Sequence, residues 1–80
     1  MANLRTLFGK RLRKIRRSRD LTQESLAEIL GISVEFISNM ERGVNAPSFE
    51  TIEKLAQAFD LPFTELFNFE DINDGSNTKI

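Results

Sequence analysis

Leu4, Phe8, Leu12 and Ile15 recur at intervals of four, four and three, the spacing that places side chains on one face of an α-helix. Arg5, Lys10, Arg13, Lys14 and Arg17 fall off that stripe, which predicts a first helix that is apolar inside and cationic outside. Gly9 interrupts it at a cost of about 1 kcal/mol relative to Ala, so its expected use is close approach to another helix. Thr22 is an N-cap candidate for a second helix over 23–30, with Leu26, Ala27 and Leu30 inward and Gly31 as its stop. After Ile32, Ser33 offers a further cap for a third helix over 34–42, which Gly43 ends. Ser48 caps a fourth, with Phe49, Ile52, Leu55, Ala56 and Phe59 as its expected inner face. A break at Asp60-Leu61-Pro62 precedes a short fifth helix around 63–67, with Pro62 near the first turn that tolerates it.

No segment alternates with period two, so the pattern predicts an all-α fold. Two helices of about eight residues joined by Gly31-Ile32-Ser33 have the geometry of a helix-turn-helix unit. Residues 1–69 form the expected domain. The composition then turns polar, and residues 70–80 read as a solvated, mobile tail.

Composition narrows the chemistry. Eighty residues allow one small domain, and with 40% apolar content they make a modest core without a deep cleft. Cys, His, Trp and Tyr are all absent, which removes disulfides, zinc ribbons, a thiol nucleophile and the commonest general base. The carboxylates form no paired constellation, and no glycine-rich phosphate loop follows a strand, so neither enzymatic activity, a metal nor a cofactor is expected. Apolar runs fall far short of the roughly 18 residues that span a bilayer, and no apolar leader follows the start. The expected location is the cytoplasm.

The net charge of −1 conceals a strong asymmetry. Residues 1–19 carry eight bases and no acid, whereas residues 20–80 carry three bases and twelve acids. A chain divided in this way folds into a molecule with a field, so the total charge does not exclude a nucleic-acid partner.

Leu21-Thr22-Gln23-Glu24-Ser25-Leu26-Ala27, Gly31-Ile32-Ser33, Ile37-Ser38, Glu41-Arg42-Gly43 and Pro47-Ser48 together carry a resemblance to the Cro/cI (XRE) family of helix-turn-helix transcriptional regulators. The likeness runs over residues 4–67 without an obvious gap. It implies a five-helix, lambda-repressor-like DNA-binding domain, commonly a homodimer on a palindromic operator. It also implies that Arg16 and Glu41 form a structural ion pair between the first and third helices. In similar proteins the glutamine at the position of Gln23 bridges the DNA backbone and the groove-facing end of the third helix.

The third helix is then the expected reader of the major groove. Ile37 and Met40, three apart, would anchor it, leaving Val34, Glu35, Ser38 and Asn39 to meet base edges. Asn39 can pair with adenine, Glu35 can accept from cytosine N4, and Val34 can pack on a thymine methyl. Phe36 admits two readings, covering a thymine methyl or sugar, or lying back against the second helix beside Thr22 or Leu26. Expected phosphate contacts are Gln23 at a helix N-terminus, Ser33 (whose capping role is the firmer one), Arg42, Asn45, and Arg11 and Arg17 from the first helix. The loop Val44-Asn45-Ala46 lacks the extra Lys and Arg that many relatives place there. Three phenylalanines within seven residues suggest a dimer surface from Leu61, Phe63, Leu66, Phe67 and Phe69.

The function these readings imply is sequence-specific binding of double-stranded DNA by a transcriptional regulator, a repressor or autoregulator. Alternatives with the same fold are an antitoxin or a restriction–modification controller, with a toxin or polymerase as a possible protein partner. A non-DNA interaction module is the remaining alternative, because the first helix alone is basic and amphipathic. Its apolar stripe, however, is needed for the core of so small a domain.

Overall fold

The computed structural model describes residues 3–72. Among them the chain forms five helices, α1 (Leu4–Ser18), α2 (Gln23–Leu30), α3 (Val34–Glu41), α4 (Phe49–Phe59) and α5 (Phe63–Leu66), and no strand. No helix among these residues is long and apolar enough to cross a membrane.

Local chemistry sets the boundaries. Asn3, Thr22, Ser33 and Ser48 each accept a hydrogen bond from the backbone N–H three residues on, satisfying donors that a helix N-terminus leaves open. At α2 the cap is reciprocal, because the Ser25 hydroxyl also accepts from the Thr22 N–H at 2.9 Å. Gly31 closes α2 in the left-handed region (φ 71°), as its sequence position predicts. Two aspartates do the same elsewhere, Asp20 after α1 and Asp60 after α4, with φ of 56° and 55°. Asp tolerates this conformation better than most non-glycine residues.

The core combines Phe8, Leu12 and Ile15 of α1 with Leu26, Ala27 and Leu30 of α2, Ile37 and Met40 of α3, Leu55 and Phe59 of α4, and Leu66 of α5. α3 sits centrally, packed on both α1 and α2, while α4 joins α2 to α5. Gly9 explains how α1 and α3 come so close. A Cβ there would overlap the Met40 carbonyl oxygen and lie 2.7 Å from that of Glu41.

Three expectations about packing are corrected. Phe49, assigned to the inner face of α4, is 84% exposed. It precedes Leu55 by six residues, which at 3.6 residues per turn rotates it about 120° away from that buried position. Leu4, at the start of the α1 stripe, is also largely exposed. Leu66, assigned to a dimer surface, is instead fully buried in the core. Of the segment read as a tail, residues 70–72 continue from a turn in which the Ile72 N–H donates to the Phe69 carbonyl at 3.1 Å. The rest of that segment, 73–80, lies outside the described residues.

Gly9→Ala should lower stability by about 1–3 kcal/mol through overpacking against the α3 backbone. Helix propensity alone would raise it by up to about 1 kcal/mol. Urea denaturation of the two proteins decides the sign.

Candidate nucleic-acid interface

The third helix is held by its rear. Ile37 and Met40 are completely buried and Glu41 nearly so, whereas Val34 and Glu35 are exposed and Ser38 and Asn39 half-buried. Thus the four side chains expected to meet base edges lie at the surface while the intervening positions anchor the helix. Ser33 is the N-cap, its hydroxyl accepting from the Phe36 N–H at 3.0 Å. Phe36 is half-buried and packs against the core, which favours the inward of its two readings.

A buried ionic cluster fixes this helix. Arg16 Nε donates to Glu41 Oε2 at 2.6 Å and its Nη2 to Oε1 at 3.1 Å, a two-point geometry that suits guanidinium and carboxylate. The third guanidinium nitrogen donates to the Leu21 carbonyl at 2.7 Å, tying the α1–α2 turn to the same group. Gln23 completes the cluster, its Nε2 donating to Glu41 Oε1 at 3.0 Å. The side chains of Arg16 and Glu41 retain 9% and 3% of their exposure, so both charges are nearly dry. Gln23 therefore stands at the N-terminus of α2 with one amide hydrogen used within the protein, and a terminal amide has a second to give.

The far end of α3 is organised by Asn39. Its carbonyl accepts from the N–H groups of Val44 and Asn45, at 2.8 and 3.2 Å. Its side-chain Oδ1 accepts from Arg42 Nη1 at 3.2 Å on the exposed surface. A base-reading candidate and a phosphate candidate are thereby joined, and the half-buried Asn45 follows directly in the loop. Gly43 takes φ 77°, which lets this loop fold back over Thr6 of α1.

The two arginines expected at phosphates from α1 part company. Arg11 is turned to α5, where its Nε donates to the Glu65 carbonyl at 2.8 Å and its Nη2 to the Glu65 carboxylate at 3.1 Å. Only 14% of its side chain is exposed, so its position is that of a tie between helices and not of a phosphate ligand. Nothing in the spacing of the first helix distinguished it from its neighbours, because its partner lies 54 residues away. Arg17 is exposed and lines a cationic hollow on the outside of α1 with Lys10, Arg13 and Lys14. Lys14 lies 3.9 Å from Asp71 there, a weak contact between exposed groups.

The candidate dimer residues are also divided. Leu61 and Phe63 line a shallow groove with Glu53, Ala56, Gln57, Asp60 and Pro62, and Phe63 is 54% exposed. Phe67 faces a different groove and stacks against Phe8 at a centroid distance of 5.2 Å. Phe69 packs edge-on to Phe67 at 6.2 Å and is half-buried.

An all-α bundle with a capped two-helix hinge and an outward-facing third helix defines a helix-turn-helix protein. Residues 12–66 match the helix-turn-helix family HTH_3, and the chain belongs to that family as a transcriptional regulator of the Cro/cI (XRE) type. The control protein C.BamHI of Bacillus amyloliquefaciens is 35% identical over 78 residues, covering 96% of both chains. The cryptic phage CTXphi transcriptional repressor RstR of Vibrio cholerae is 34% identical over 73 residues, covering 91% of this chain and 66% of that protein. Among solved structures, the restriction–modification controller protein C.AhdI of Aeromonas hydrophila superposes with a TM-score of 0.75 at 40% identity, covering 79% of this chain and 96% of that one.

Arg16→Met should cost about 3–5 kcal/mol, because it leaves the Glu41 carboxylate buried without its counter-charge. Adding Glu41→Leu should recover part of that loss. Equal stability of the single and double variants, measured by thermal unfolding, would contradict the buried-pair account.

Proposed function

We propose that the chain binds a palindromic operator as a symmetric dimer, with α3 of each copy in successive major grooves, and acts as a repressor or autoregulator. The observation that carries this reading is the sidedness of α3. Val34 and Glu35 are open and Ser38 and Asn39 partly so, while Ile37, Met40 and Glu41 fasten the opposite side. A rigid helix with small and amide-bearing side chains outward suits base edges, since Asn can pair at two points with adenine and Val can cover a thymine methyl. In this reading Phe36 packs inward against the core and leaves base contact to its neighbours on α3. Arg42, Asn45 and Ser33 meet phosphates beside the groove, Gln23 contributes its second amide hydrogen, and Arg17 supplies a more distant cationic contact.

The dimer face in this reading centres on Leu61 and Phe63, whereas Phe67 lines the separate groove with Phe69 packed against it. Half-site centres about 34–36 Å apart follow from one helical turn of B-DNA. A second reading, control of a restriction–modification operon, draws support from two control proteins, 35% and 40% identical to this chain and each covered over 96% of its length. This reading uses the same DNA contacts and differs only in the genes controlled. The antitoxin alternative draws support from Antitoxin PezA of Streptococcus pneumoniae, 33% identical over 60 residues, but only 38% of that protein is covered.

Selection of bound duplexes from a random pool should return an inverted repeat, and Asn39→Ala should relax preference at one position per half-site by about 1–3 kcal/mol. Recovery of sequences with no symmetry would refute the dimeric operator reading. With Arg42 and Arg17 of two subunits as the charged contacts, the slope of log K against log[salt] should be about −4, from about −0.9 per phosphate. A slope near zero in a fluorescence-anisotropy titration would remove the electrostatic contribution. Phe63→Glu should shift sedimentation from dimer to monomer and weaken operator binding in consequence.

A further inference from the structure

Away from the base-facing side of α3, the first turns of α1 and α4 and the segment after α5 enclose an apolar groove. Leu4, Phe8, Phe49, Ile52 and Phe67 line it together with Ala46 and Pro47, and its volume is about 410 Å³. That lies within the roughly 300–1,000 Å³ typical of small-molecule sites. Phe49 and Leu4 are 84% and 59% exposed, so two large apolar side chains of the groove stand open to water. Phe67 is held against Phe8 and Phe69, which makes one wall firm. Among the described residues the only charged one lining the groove is Arg5. Among the described residues no carboxylate pairs with it, in contrast to Arg11 and Arg16 on the same helix.

We propose that this groove binds a small amphipathic carboxylate, its hydrocarbon portion between Phe49, Ile52 and Phe67 and its anionic head on the Arg5 guanidinium. An apolar trough with a single cation among its lining residues is complementary to an aliphatic or aromatic acid. It is mismatched to an aliphatic cation, whose tail would fit the apolar walls but whose head would meet the like charge of Arg5. The groove shares no lining residue with the one containing Leu61 and Phe63, so pairing through that face leaves it accessible. The proposal goes beyond operator binding and does not depend on it.

The test uses the full chain, isotopically labelled, titrated with octanoate and separately with octyltrimethylammonium, which has the same tail and the opposite head charge. Octanoate should produce saturable NMR shifts at Leu4, Phe8, Phe49, Ile52 and Phe67, and the ammonium compound should bind more weakly. Arg5→Gln should weaken octanoate binding about three- to fivefold, the size expected for an exposed charge pair, with an unchanged melting temperature. Shifts that fail to saturate, that centre on Leu61 and Phe63, or that are the same for both head groups would overturn the proposal. So would shifts in these five residues on raising the protein concentration alone, which would mean that a second copy covers the groove. Loss of operator selection with octanoate binding intact would refute the DNA reading and leave this one standing.

Discussion

The arrangement depends on a charge pair that water hardly reaches. Arg16 and Glu41 stand 25 residues apart in sequence on different helices, yet they meet at two points with the Leu21 carbonyl and the Gln23 amide completing their hydrogen bonds. Burying such ions costs several kcal/mol each unless geometry and extra donors compensate, so the cluster tolerates little movement of any member. It thereby orients three elements at once: the end of α1, the turn into α2 and the last turn of α3. Gly9 sets the separation, since only a residue without Cβ lets α1 rest on the Met40 and Glu41 carbonyls. With its C-terminal end and inner side held, α3 has its leading residues directed outward.

The eight basic residues of the first nineteen show how one residue type acquires different tasks by position. Arg16 is buried in the ionic cluster, Arg11 is tied to Glu65, and Arg19 lies over the Phe59 ring at 5.6 Å. Lys10, Arg13, Lys14 and Arg17 instead line the hollow on the outside of α1. A count of charge therefore overstates what α1 can offer an anionic polymer. The field is real, but part of the positive charge is neutralised by carboxylates from α3 and α5 before any partner arrives.

Aromatic residues divide in the same manner. Phe8 and Phe59 are core; Phe36 and Phe69 lean on it half-buried; Phe49, Phe63 and Phe67 remain open on two separate grooves. The clustering of phenylalanines near the fifth helix did signal exposed apolar surface, but Leu66 among them is sealed, and Phe49 belongs to a surface that the clustering did not indicate.

Caps, stops and periodicity were legible because they act over three or four residues. Thr22, Gly31, Ser33 and Ser48 delimit helices by bonds to their own neighbours, and the Ile37–Met40 spacing alone oriented α3. The resemblance of 21–27, 31–33 and 41–43 to Cro/cI regulators supplied the Arg16–Glu41 pairing, which spacing could not. What the amino-acid sequence determined by itself was the all-helical class, the hinge at Gly31 and the side of α3 that faces outward. Tertiary structure decided the partner of Arg11, the burial of Leu66, the exposure of Phe49 and the joining of Arg42 to Asn39. Except for that last local bond, these depend on how helices distant in sequence are rotated about their axes, and a local pattern carries no information on which neighbour occupies each flank.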